Sequence, residues 1–152
     1  MDLGCYPVHW CRSLLRTEPT IIAAKALWDK GGCEEEVEAT LAFPSGAVAT
    51  IETKMTAGWS YHARFVVEGE RGSVVAENSL LPHLGHSIVA RLDGTLRQYT
   101  LAGDTTFDYQ LAAFLEALEN GTPLPTEGAD PVGNMAAIDA IYSHLSAQRE
   151  RV

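Results

Sequence analysis

From Glu36 to Phe43 the chain alternates without a break: Val37, Ala39, Leu41 and Phe43 are apolar, while Glu36, Glu38 and Thr40 are polar. A period of two marks a strand with one buried face, so a strand is predicted over 36–43. Pro44-Ser45-Gly46 supplies the turn into a second strand over 47–56. There Ala49, Ile51 and Met55 point one way and Val48, Thr50, Glu52, Lys54 and Thr56 the other, leaving one face semi-polar. Two further hairpins follow, 61–68 with 73–78 around Gly69-Glu70-Arg71-Gly72, and 87–92 with 95–101 around Asp93-Gly94. Strand character also runs over 20–28, until Asp29-Lys30-Gly31-Gly32 breaks it.

Helical spacing replaces this alternation at the two ends of the chain. Val8, Cys11, Leu14 and Leu15 define a short helix over 6–16, with Pro7 near its start and Glu18-Pro19 ending it. Phe107, Leu111, Phe114, Leu115 and Leu118 share one face of a second helix, which Gly121 stops. Met135, Ile138, Ile141, Tyr142 and Leu145 share a face of a third, with Asp130 as its N-cap and Pro131 at its first position. Hairpin-joined strands with helices segregated to the ends predict an α+β domain: an open, mostly antiparallel sheet of six or more strands with helices packed on one face. Three or four helices cannot cover both faces of so long a sheet. The other face is expected to meet a second copy, giving a homodimer, or another domain.

Composition narrows the class. The 152 residues amount to one domain, read as continuous over 1–152, with no room for a nucleotide-binding domain beside it. A net charge of −9 with scattered Lys and Arg argues against nucleic acid as a partner. No apolar stretch approaches the roughly 18–20 residues that span a bilayer, so no membrane role is expected. The start lacks the pattern of a signal segment, and the cytoplasm is the expected compartment. Cys5, Cys11 and Cys33 are odd in number and show no C-x-x-C spacing, which favours reduced thiols over a disulfide framework or a zinc clip. His83-x-x-His86 has no evident third ligand and reads as a structural loop, so no metal is expected.

The candidate chemistry lies at the start, in Asp2-Leu3-Gly4-Cys5-Tyr6-Pro7-Val8-His9. An acid, a phenol and an imidazole fall within eight positions at a helix N-terminus, where free N–H groups and the dipole favour negative charge. Two readings stand side by side. Asp2 and Tyr6 form an acid/base site, or they cap and pack a helix. Trp59, Tyr61, His62 and Arg64, between two strands, are candidates for a pocket wall or for edge packing. The chain has no G-x-G-x-x-G and no Walker A loop, hence no dinucleotide fingerprint of its own.

The opening segment resembles the D-x-G-x-Y/H motif that begins the C-terminal domain of the Gfo/Idh/MocA oxidoreductases. Leu14-Leu15 with Glu18-Pro19, the Gly69-Glu70-Arg71-Gly72-Ser73 turn, and the run from Asn134 to Tyr142 extend the similarity over essentially the full length. The resemblance implies a two-domain enzyme in which a Rossmann domain holds NAD or NADP and this α+β domain supplies the substrate pocket and oligomer interface. It implies that Tyr6 exchanges the substrate proton, that Asp2 is the motif's acidic residue, and that His9 lines the pocket. Trp59, Tyr61, His62 and Arg64 remain the further candidates for substrate contact. The expected function is that of the substrate domain of an NAD(P)-dependent dehydrogenase acting on a sugar, polyol or dihydrodiol-like alcohol. As an isolated chain it is expected to be inactive and without bound cofactor, a Rossmann-domain partner being needed in cis or in trans. The alternative is a stand-alone dimeric module that binds a small ligand or serves assembly without redox chemistry.

Overall fold

A computed structural model describes residues 1, 3–55 and 61–149. The chain order is α1 (Cys5–Leu15), β1 (Thr20–Trp28), β2 (Glu34–Ala42), β3 (Val48–Lys54), β4 (Arg64–Gly69), β5 (Gly72–Glu77), β6 (Ser87–Leu92), β7 (Thr95–Tyr99), α2 (Thr106–Asn120) and α3 (Ala129–Arg149). A short 3-10 turn at Pro82–Leu84 precedes β6. The α+β class holds, with the strands divided between two antiparallel sheets, β1-β2-β3 and β4-β5-β6-β7. The chain forms two compact units, the first from 1–58 and 125–152, the second from 59–124.

The first unit owes its core to the alternation in β2. Val37, Ala39 and Leu41 are buried, as are Ile51 of β3 and Ile21 and Ala24 of β1. The register places Ala39 opposite Ile51 and Leu41 opposite Ala49, so these residues form one apolar face. β1 carries a register shift between Ile21 and Ala23, which throws Ile22 into solvent and brings Ala24 back inside. Over this face lie α1, through Val8 and Cys11, and α3, through Ala137, Ile138, Ile141 and Leu145. The thiol of Cys11 is pushed above its ordinary range by burial, which keeps it protonated and inert. The opposite face of the sheet carries charge ladders. Lys25 pairs with Glu38 at 2.9 Å, Lys54 pairs with Glu36, and Glu52 lies across from Glu38. A depression of about 470 Å³ lies over Leu27 and these side chains.

The second unit is a four-strand meander in which each strand pairs with its sequence neighbour. Its turns follow from local chemistry. Asp93 and Gly94 both have positive φ, the requirement of the two-residue turn that matches the strand twist. Gly72 sits at φ 136°, and a Cβ there would overlap the Arg91 carbonyl oxygen of the neighbouring strand. α2 begins with a reciprocal capping box between Thr105 and Asp108 and ends on Gly121 in the left-handed region. The Thr105 hydroxyl holds the Asp108 carboxyl below its ordinary range. Among the described residues of α2 none is buried, and Phe107, Leu111, Phe114 and Leu118 are all more than half exposed.

Asp130 departs from its predicted role. α3 begins at Ala129, two residues before the predicted first position at Pro131, so Asp130 lies inside the first turn rather than at the N-cap. Its carboxylate is drawn to α1 instead.

Candidate functional site

The first turn of α1 is built without a side-chain cap: Gly4 stands at the N-cap in a helical conformation. The turn is held from outside, because Asn134 of α3 donates from Nδ2 to the carbonyl oxygen of Cys5 at 3.1 Å. Tyr6 stands on this turn, 45% exposed, its ring available to whatever approaches the end of the helix. His9 follows three residues later, on the neighbouring part of the same helix surface. Its Nδ1 lies 3.3 Å from Asp130 Oδ2, and its Nε2 lies 3.2 Å from Ser13 Oγ.

One turn further on, Arg12 organises the junction of α1 and α3. It is the one buried charged side chain among the described residues, 6% exposed. Its Nε and Nη2 donate to the two carboxylate oxygens of Glu18, both at 2.7 Å, and its Nη1 donates to Asp130 Oδ1 at 3.0 Å and Asn134 Oδ1 at 3.4 Å. A planar guanidinium meeting one carboxylate bidentately and a second from its remaining nitrogen is the arrangement Arg supports and Lys does not. The hydrogen bonds from Arg12 hold the Glu18 carboxyl below its ordinary range, and those to Glu18 and Asp130 raise the guanidinium above its own. Gly133 provides the space. A Cβ at that position would strike Arg12 Nη2 and Glu18 Oε1.

Tyr6 and His9 therefore share α1, in the first unit. Tyr61, His62 and Arg64 belong to the second. Tyr61 Oη accepts from the backbone N–H of Leu81 at 3.1 Å, and Arg64 Nε donates to Glu77 across the β4–β5 pair at 2.9 Å, while His62 is exposed. Asp2 and Trp59 lie outside the described residues. His86 matches the loop role read from the sequence: Nδ1 faces the Pro82 carbonyl oxygen at 3.0 Å, and Nε2 accepts from the Leu101 N–H at 2.9 Å. Both ring nitrogens are thus occupied by backbone, in a neutral ring. Among the described residues no group of three or more His, Cys, Asp and Glu could hold a metal ion.

Sequence reasoning missed the Arg12 cluster. Its signal was a lone cation on the apolar stripe of Val8, Cys11 and Leu15, together with the Asp130 and Asn134 that flank a glycine on α3. Among the described residues every strand pairing is antiparallel, and no glycine-rich turn leads from a parallel strand into a helix.

Residues 1–75 match the model of the GFO/IDH/MocA C-terminal domain. The chain is 27% identical over 161 aligned positions to the inositol 2-dehydrogenase of Rhizobium meliloti (strain 1021), covering 98% of this chain and 48% of that protein. It is 25% identical over 142 positions to D-xylose 1-dehydrogenase (NADP(+)) 2 of Haloferax volcanii, covering 93% of this chain and 44% of that protein. The crystal structure of the aldose-aldose oxidoreductase of Caulobacter crescentus, complexed with glycerol, superposes over 95% of this chain and 44% of its own with a TM-score of 0.81 at 25% identity. The chain thus spans about half the length of the curated relatives it matches. Behind an Asp-x-Gly-x-Tyr opening, residues 1–75 of the chain thus match the Gfo/Idh/MocA C-terminal domain.

Proposed function

We propose that this chain is the substrate-side domain of an NAD(P)-dependent dehydrogenase acting on a sugar, polyol or dihydrodiol-like alcohol. The observation that carries the proposal is the exposed phenol of Tyr6 on the first turn of a helix that Arg12 and Asn134 clamp to α3. A group that moves a proton must be both accessible and held. As the phenolate, Tyr6 Oη takes the hydroxyl proton of an alcohol, and as the phenol it returns that proton in the reverse direction, while the N-terminal end of α1 favours negative charge on the oxygen beside it. Asp2 positions the phenol or the substrate, and His9 lines the pocket. Trp59, Tyr61, His62 and Arg64 are proposed as further substrate contacts. The nucleotide is held by a separate Rossmann domain, in cis or in trans, and the isolated chain is inactive. The polar face of the β1-β2-β3 sheet is proposed to meet a second copy, and the cytoplasm is the proposed compartment.

The test joins this chain to the nucleotide-binding half of the inositol 2-dehydrogenase relative and follows nicotinamide reduction over a panel of sugars and polyols. Turnover is expected with the fusion and not with the chain alone. Tyr6→Phe is expected to lower kcat by about 10²–10⁴-fold, the range of general acid–base contributions, with substrate binding kept. Full turnover in Tyr6→Phe would overturn the assignment.

A further inference from the structure

Ser13, His9 and Asp130 form a connected array that the proposed proton exchange at Tyr6 does not use. Ser13 Oγ is 3.2 Å from His9 Nε2, and His9 Nδ1 is 3.3 Å from Asp130 Oδ2. An ionised carboxylate only accepts, so Nδ1 carries a ring hydrogen, and in the neutral form of the ring Nε2 is the acceptor. The Ser13 hydroxyl is then the donor into Nε2. Asp130 is fixed from behind, since Arg12 Nη1 donates to its other oxygen at 3.0 Å. Arg12 is in turn bound bidentately by Glu18. Side-chain exposures of 30% for His9 and 24% for Asp130 shield the relay, whereas Ser13 itself is exposed. A hydroxyl within reach of an imidazole whose second nitrogen is oriented by a carboxylate is the signature of an activated nucleophile.

We propose that Ser13 is a nucleophilic serine, a covalent acylation site for small activated esters, separate from any hydride-transfer chemistry. Ser13 Oγ attacks the ester carbonyl carbon, forming a new C–O bond, as its proton passes to His9 Nε2. The bond from that carbon to the leaving alkoxide or phenoxide oxygen breaks with its electron pair, and the imidazolium returns the proton to the departing oxygen. Asp130 stays ionised throughout and balances the imidazolium. Ser13 lies mid-helix, so its backbone N–H is spent within α1 and is not offered to an oxyanion. The array therefore activates attack without speeding deacylation, and the acyl-serine accumulates instead of turning over.

The experiment treats the 152-residue chain with p-nitrophenyl acetate and follows intact mass, then maps the acetylated peptide. One acetyl group on Ser13 is expected. Ser13→Ala should lose it, and His9→Gln should slow labelling by at least about tenfold. Asp130→Asn should slow it as well, with circular dichroism reporting whether the variant is folded. The wild-type label is informative by itself. An unmodified Ser13, acetyl groups spread over lysines, or labelling of His9→Gln at the wild-type rate would overturn the proposal.

Discussion

Arg12 is the residue on which the geometry of α1 depends, and its environment sets two measurable consequences. Arg12→Ala leaves Asp130 without its cation and releases α1 from α3. A cost of about 2–3 kcal/mol is expected in urea unfolding, at or below the range for broken buried pairs because Glu18 stays solvated. Gly133→Ala should also destabilise the chain, although Ala in place of Gly within a helix ordinarily gains about 1 kcal/mol. The added methyl group would occupy the space of Arg12 Nη2 and Glu18 Oε1. The acid side follows from Glu18. Its carboxyl is held below the ordinary value by Arg12, so the stabilisation is fully present above the ordinary carboxylate range and is lost as pH falls through the lowered folded value. Thermal melts of Glu18→Gln should therefore show a weaker loss of stability on acidification than those of the parent chain.

At the scale of elements, alternation and turn chemistry made the strands legible. β1 and β6 match their predicted bounds, while β2 begins two residues before its predicted start, at Glu34. That edge was hidden because Glu34-Glu35-Glu36 has no apolar residue to carry a period. The division into two sheets was not legible either, since no sequence rule distinguishes a strand that continues one sheet from a strand that starts another. At α3 the reading of Asp130 as a cap failed for a physical reason: a carboxylate near a buried guanidinium gains more from that ion pair than from a backbone N–H. The Arg12 cluster stayed hidden because Asp130 and Asn134 lie more than a hundred positions from Arg12 and no local pattern links them to it. Two substitutions test the elements. Ile141→Ala, at a fully buried position on α3, should cost about 2–5 kcal/mol. Gly72→Ala should disrupt the β4–β5 hairpin, because the backbone has positive φ and the neighbouring strand leaves no room, and hydrogen exchange across 64–77 should report the loss.

At the scale of the molecule, the proposed dimer rests on the polar face of β1-β2-β3. Lys25 and Lys54 beside Glu36, Glu38 and Glu52 give a surface of both signs, which a twofold axis can pair with itself. Light scattering should give twice the chain mass at low salt, and Lys54→Glu should shift the population towards monomer. A strictly monomeric mass for the parent chain would remove this part of the proposal.

The two units differ in how they are written along the chain. The second is one uninterrupted stretch in which every strand meets the strand made just before it. The first is split, and the α3 residues that close its core are encoded after the whole of the second unit. During synthesis at about 5–20 residues per second, the inner face of β1-β2-β3 therefore has only α1 to cover it for several seconds until α3 leaves the ribosome. Ile21, Val37, Leu41 and Ile51 are the side chains left without α3 in that interval, and a chaperone captured on stalled nascent chains should bind here before position 145 has emerged and leave afterwards.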